Sequence, residues 1–191
     1  DYAPYATKLA DVLNLRDRIP FAPIVSEKIT GFTAKRPLPK WQRDYFKQDE
    51  LPEHSSNSGR PVILFADTFN RYFEPENLRA ATRVLRASGY DVFAPPASVK
   101  QPLCCGRTFL STGMIDRARS EASRLITAYM PFAAAGIPIV GLEPSCLLAL
   151  RDEVPALLNN AASRKVAEMA MTFEELLVRD KPMIPLETAN Q

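Results

Sequence analysis

The run PVILFAD, Pro61 to Asp67, decides the fold. From Val62 to Ala66 it is unbroken apolar sequence closed by a carboxylate. A strand with one wet face alternates apolar and polar residues, whereas a strand buried on both faces does not. The run therefore predicts an inner strand of a parallel sheet with helices on both sides. Two further short apolar runs follow, YDVFAPP (Tyr90 to Pro96) and IPIVGL (Ile137 to Leu142).

Between these runs the period changes to that of a helix. In EPENLRAATRVLRASG, Pro75 suits a first turn, Glu74 and Glu76 complement the positive helix start, and Gly89 suits the stop. Leu78, Ala81 and Leu85 form the apolar stripe, which Ser88 continues, and Arg79, Arg83 and Arg86 an outer, solvated face. A long helix is predicted from Thr112 to Ala135, with Ile115, Ala118, Ala122, Leu125, Ile126 and Tyr129 at helical spacing, Pro131 placed to shorten its last turns and Gly136 ending it. Another is predicted over Ser145–Leu158, where Pro155 can cut it short. Thr172 with Glu175 is a capping box that opens a last helix over Phe173–Arg179. The alternation predicts an α/β fold class. It is a small three-layer Rossmann-like domain over residues 61–180, with a short parallel sheet of about three strands flanked by helices and joined by right-handed crossovers. Ligands in such sheets sit at the carboxyl ends of the strands.

Residues 1–60 read as an irregular, partly helical linker. Ala6, Leu9, Ala10 and Leu13 share one face of a helix over Tyr5–Leu13, and a second helix is expected over Ala22–Thr30. The prolines of TAKRPLPKWQRDYF break regular structure, and Trp41 and Phe46 are expected to anchor the linker to the core. The polar segment Glu53–Pro61 marks a boundary, His54 within it reads as a solvated surface histidine, and residues 181–191 form a tail. The chain starts DYAPYATKL, without Met, and is expected to be a mature piece or a fragment. A net charge of +2 over 191 residues gives no case for nucleic acid. No apolar stretch reaches the ~18 residues of a membrane-spanning helix.

The chemistry lies in the cysteines. Cys104 and Cys105 are adjacent in QPLCCGRTF, and Cys146 stands in GLEPSCLLALRDE. An odd set with two neighbours is not a secreted disulfide framework, so a reducing, cytoplasmic setting is expected, with the thiols used for metal or redox work. Thiolates suit iron–sulfur clusters, zinc or copper(I). Cys146 is expected in the first turn of a helix, where backbone N–H groups stabilise a thiolate. Gly106 clears space beside a bulky inorganic group, and Arg107 brings positive charge to a negative site. The alternatives are inert packing of the thiols and a disulfide between Cys104 and Cys105. Zinc fits poorly, because structural zinc asks for four ligands in tight pairs. Asp67 reads as a cap or turn residue ahead of a metal ligand, and Glu143 divides between helix capping and hydrogen bonding to a ligand.

Taken together, LFADTFNRYFEPE, PLCCGR and VGLEPSCLLALRDE resemble the cysteine-rich CCG domain. That module occurs in heterodisulfide reductase, anaerobic glycerol-3-phosphate dehydrogenase and glycolate oxidase subunits and in lactate-utilisation proteins. The likeness is nearest to its first repeat in the C-terminal iron–sulfur region of FAD-linked oxidases, a group that includes D-lactate and D-2-hydroxyglutarate dehydrogenases, and covers about residues 15–180. It implies an iron–sulfur electron-transfer region, with a 4Fe-4S-type centre ligated by Cys104, Cys105 and Cys146. It also implies a flavin that oxidises a small 2-hydroxy acid in a domain absent from this chain, so that no complete active site is present. The implied partners are that flavin domain, a ferredoxin-like domain, a second CCG repeat and a downstream electron acceptor, in the cytoplasm or peripherally at the inner membrane face. The general pattern has a lone Cys where this chain has Asp67, and the first Cys of C-x-x-C where it has Glu143. Three thiolates fall short of the usual four-cysteine ligation, so these residues alone are expected to hold a cluster weakly or not at all. A cluster-free α/β scaffold that docks the flavin domain or a partner subunit is the other expectation.

Overall fold

The computed structural model describes residues 3–52, 59–97 and 101–182. His54, most of the Glu53–Pro61 boundary and most of the 181–191 tail lie outside them. The class is α/β, as expected, but the sheet has four strands: β1 (Arg60–Phe65), β2 (Tyr90–Phe93), β3 (Ile139–Gly141) and β4 (Ala170–Thr172), in the order β2-β1-β3-β4. Every pairing is parallel, with Val62 opposite Val92, Ile63 opposite Ile139 and Gly141 opposite Thr172.

The helices are α1 (Ala3–Ala6), α2 (Ala10–Asn14), α3 (Ala22–Thr30), α4 (Thr68–Tyr72), α5 (Pro75–Ala87), α6 (Arg107–Ser111), α7 (Ile115–Ala134), α8 (Pro144–Arg151), α9 (Glu153–Leu158), α10 (Ala161–Met169) and α11 (Phe173–Asp180). Several expectations are corrected. The helix predicted over Thr112–Ala135 is α7, which starts only at Ile115, because Gly113 takes a positive φ of 77° between it and the separate short α6, and Pro131 lies inside it without ending it. The helix predicted over Ser145–Leu158 breaks at Asp152, before Pro155, so that Pro155 falls in the first turn of α9, where its missing N–H costs nothing. The helix predicted over Tyr5–Leu13 is two short α-helices joined by a 3-10 turn, and its face divides: Ala6 and Ala10 are buried, Leu9 and Leu13 exposed. Arg79 is not simply solvated, since it ties α5 to the linker through Glu50 (2.8 Å) and Asp44 (3.0 Å).

Val62 to Phe65 are all buried, and their alternation feeds two cores. Ile63 and Phe65 pack with Leu125, Tyr129, Leu147 and Val166 from α7, α8 and α10. Val62 and Leu64 pack with Leu78, Leu85 and Leu176 from α5 and α11, and with Phe46 and Leu51 of the linker. Phe46 thus anchors the linker, while Trp41 packs at a tilt against Phe73 with ring centroids 4.5 Å apart. The backbone joins in: Gln42 N donates to Tyr72 O (3.0 Å) and Phe46 N to Arg71 O (2.9 Å), satisfying carbonyls that a five-residue helix leaves open. The Thr172–Glu175 capping box opens α11 as expected, with bonds of 2.8 and 3.2 Å.

Ile139→Ala should cost about 2–5 kcal/mol in denaturant unfolding, because Ile139 is wholly buried. Val178→Ala, at an exposed position of α11, should stay within about 0.5 kcal/mol of the wild type.

Candidate functional site

The order β2-β1-β3-β4 makes the chain run to one side of β1 and then return to the other. The crevice between the carboxyl ends of β1 and β3 is the topological switch point, where parallel sheets bind ligands. Asp67 follows β1 and Glu143 follows β3. Both cap helices. Asp67 Oδ1 accepts from Phe69 N (2.9 Å) and Asn70 N (3.0 Å), and its Oδ2 accepts from Asn70 Nδ2 (2.7 Å). Glu143 Oε1 accepts from Ser145 N (3.2 Å) and Ser145 Oγ (2.7 Å). Burial, and to a lesser extent the charge of Glu143, push the Asp67 carboxyl above its usual range despite those hydrogen bonds.

The CCG turn is held from behind by α7. Arg124, paired with Glu121, donates to Gln101 O (2.7 Å) and Pro102 O (3.4 Å). Gly106 has φ 79°, and a Cβ there would lie 2.8 Å from Ala118 O. The tight turn aims backbone N–H groups at sulfur: Gly106 N donates to Cys104 Sγ (3.4 Å) and Arg107 N to Cys105 Sγ. The Arg107 side chain is half-exposed and pairs with Glu153 of α9 at 3.5 Å.

Cys146 lies in the first turn of α8, as expected, and is buried with Cys105 in the core between the sheet and α7 and α8, while Cys104 is half-buried. Cys104 and Cys146 both act on the Cys105 thiol. Cys105 and the distant Cys146 therefore meet in one core on one side of the sheet, with Cys104 beside Cys105. Its hydrogen bond to Cys105, and then burial, push the Cys104 thiol far up. For Cys105 the bond from Cys104 favours the thiolate, but the bond to Cys146 and burial outweigh it and push the thiol up to about 12. Among the described residues, no three His, Cys, Asp or Glu side chains converge as they would on one metal ion.

Two buried residues at this edge escape sequence reasoning. Tyr129 of α7 packs edge-on against Phe65 at 6.0 Å, and its phenol is pushed up by burial. Arg71 of α4 is 8% exposed, and among the described residues its Nε has no hydrogen-bond partner. Tyr129 could have been placed here from its helical spacing, but no signal marks a lone Arg in a five-residue helix.

No known family model matches the chain, and no solved structure matches it. It is similar to a subunit of the anaerobic glycerol-3-phosphate dehydrogenase of Escherichia coli strain K12, at 27% identity over 185 residues, covering 88% of this chain and 46% of that protein. It is similar to the D-2-hydroxyglutarate dehydrogenase of Pseudomonas putida at 33% identity over 94 residues, covering 49% of this chain and 9% of the relative. With the D-2-hydroxyglutarate dehydrogenase of Pantoea ananatis it shares 24% identity over 170 residues, 84% of this chain and 16% of the relative. The chain thus spans less than half the length of these curated relatives. It is related to dehydrogenase components. Among the described residues no helix is long and apolar enough to cross a membrane.

Gly106→Ala should be markedly worse than Gly113→Ala. Both force a side chain into positive φ, a cost of about 1–2 kcal/mol. Gly106→Ala adds a clash with Ala118 O, roughly 1–3 kcal/mol more by denaturant unfolding. In the metal-free protein, Cys104 and Cys105 should resist iodoacetamide at pH 8 relative to the unfolded chain, as read by mass spectrometry. Because Cys105 holds its proton more tightly folded than unfolded, its contribution to stability is intact below about pH 9 and is lost towards about 12.

Proposed function

We propose that this chain is an iron–sulfur electron-transfer region of an FAD-linked dehydrogenase, with Cys104, Cys105 and Cys146 as thiolate ligands. The observation that carries the reading is that Cys105, beside its neighbour Cys104, is buried in one core with Cys146 from another element. The groups fit such a centre in kind: soft sulfur, with the backbone N–H of Gly106 donating to Cys104 Sγ. In number they are one thiolate short of a four-cysteine set, so a further ligand has to come from elsewhere, such as a second CCG repeat. Asp67 caps α4 through Oδ1 and accepts from the Asn70 side chain through Oδ2, and is assigned no ligand role.

When bound, a cluster would take up and pass on single electrons. The chain's own groups set the conditions for that. The Gly106 and Arg107 amides hydrogen-bond the sulfurs and favour their anionic form. The core around Cys105 and Cys146 keeps water away. The thiol protons must leave when metal binds, so uptake should release protons and strengthen as pH rises. The relatives are named as dehydrogenases of glycerol 3-phosphate and D-2-hydroxyglutarate. On this reading a flavin domain outside these residues oxidises such a substrate and feeds this region, which hands electrons to a further acceptor.

A second reading, docking of a flavin domain or partner subunit, is favoured by the apolar side chains exposed on the N-terminal segment, among them Val12, Ile19, Phe21 and Ile29. The two readings part in one experiment. Anaerobic reconstitution of the full-length protein with iron and sulfide should give a brown protein with bound iron. Cys105→Ser and Cys146→Ser should each lose most of that colour and iron. Full colour in the double variant would refute ligation here and leave the docking role.

A further inference from the structure

The N-terminal unit is built with its polarity reversed. Arg16 turns inward, its side chain 9% exposed, and holds the segment together: it donates to Ser26 Oγ of α3 (3.1 Å), to Thr33 O (2.7 Å) and to Phe32 O (3.4 Å). Asp17 Oδ2 accepts from Leu38 N (2.8 Å), and the Asn14 side chain bonds both the N–H and the carbonyl of Trp41 (3.0 and 2.9 Å). The apolar residues go the other way. α3 buries none of its nine residues. Ile24, Val25, Lys28 and Ile29 share one of its faces, and all four are exposed. A surface helix ordinarily turns its apolar stripe to the core, and this one turns it to solvent.

Phe21 sharpens the reversal. It precedes α3 with a positive φ of 65°, a strained conformation for a bulky residue. Its side chain is 75% exposed, so burial does not offset the strain, as it would for a core aromatic. Phe32, just past the Gly31 that ends α3, is exposed as well. An apolar face of this kind marks a contact surface, and the charges around it select the occupant. Residues 18–40 carry Arg18, Lys28, Lys35, Arg36 and Lys40 against one acid, Glu27, a net +4 in a chain whose total is +2. All five cations are exposed, and among the described residues none is in an ion pair. Contact surfaces between proteins are depleted in lysine. Exposed Phe and Ile beside unpaired Lys and Arg instead suit a layer of anionic lipid headgroups. We propose that α3 and its flanks bind the surface of an anionic bilayer: Phe21, Ile24, Val25 and Ile29 enter the headgroup layer, and Lys28, Lys35 and Arg36 meet lipid phosphates. This does not depend on the iron–sulfur reading.

The test is co-sedimentation of the full-length protein with lipid vesicles. Vesicles of equal parts phosphatidylcholine and phosphatidylglycerol should carry the protein down. Phosphatidylcholine alone, or the mixed vesicles in molar salt, should leave it in solution. Phe21→Asn, which removes the ring and tolerates positive φ, should melt no lower than wild type yet bind several-fold more weakly. A variant combining Lys28→Gln, Lys35→Gln and Arg36→Gln should lose about fivefold in affinity for each charge removed. Full-length protein that ignores the anionic vesicles overturns the proposal and leaves the face to a protein partner. Equal binding to both kinds of vesicle overturns the anionic surface as the occupant. Wild-type binding by both variants overturns the placement of the contact on α3. A Phe21→Asn protein that melts well below wild type overturns it too, by showing that the ring is a structural tie.

Discussion

Strand β1 is hydrogen-bonded on both edges and covered on both faces, and the rest of the molecule depends on that double confinement. Its side chains alternate between two cores, so a one-residue slip would exchange them and misplace everything attached to its ends. With β2 on one side and β3 on the other, the segments that leave all three strands emerge at one edge. Asp67, the CCG turn and Glu143–Cys146 belong to those segments. The site is a by-product of how β1 is flanked, and its groups need no closeness in sequence.

The CCG turn shows how packing and chemistry are joined. Only glycine can follow Cys105, because the backbone there has positive φ and lies against the Ala118 carbonyl of α7. That close approach lets consecutive amides face the two sulfurs, and it drives Cys105 into the core, where it meets Cys146. A buried thiol with thiol neighbours holds its proton. The same arrangement releases protons when soft metal ions take their place, and its cost in the metal-free state is modest because each sulfur has a partner.

The long apolar and periodic segments were legible because their signals are local. PVILFAD, the α5 stripe and the Thr172–Glu175 box each carry their structure in neighbouring residues, and α5 and α11 form within a residue or two of where they are read. What was not legible needed a partner. Ala170–Thr172 has no strand pattern of its own and is extended because Ile139–Gly141 offers it a ladder. The break at Asp152 and the divided face of the N-terminal helix follow from what those residues meet. Leu9 and Leu13 carry the right period but find no core.

Sequence by itself determined the α/β class, the cysteines as the chemically distinctive residues, and the positions of Asp67 and Glu143 at strand ends. These follow from short-range rules: apolar run length, helical period, and the need for donors at a helix start. Tertiary structure alone decided that Cys105 and Cys146 are buried together, that both Asp67 oxygens are taken up at the start of α4, and that among the described residues Arg71 is buried with its Nε bare. Each of these is a distance between groups that the chain brings together only on folding. Sequence carries no term for the desolvation that makes a buried thiol hold its proton.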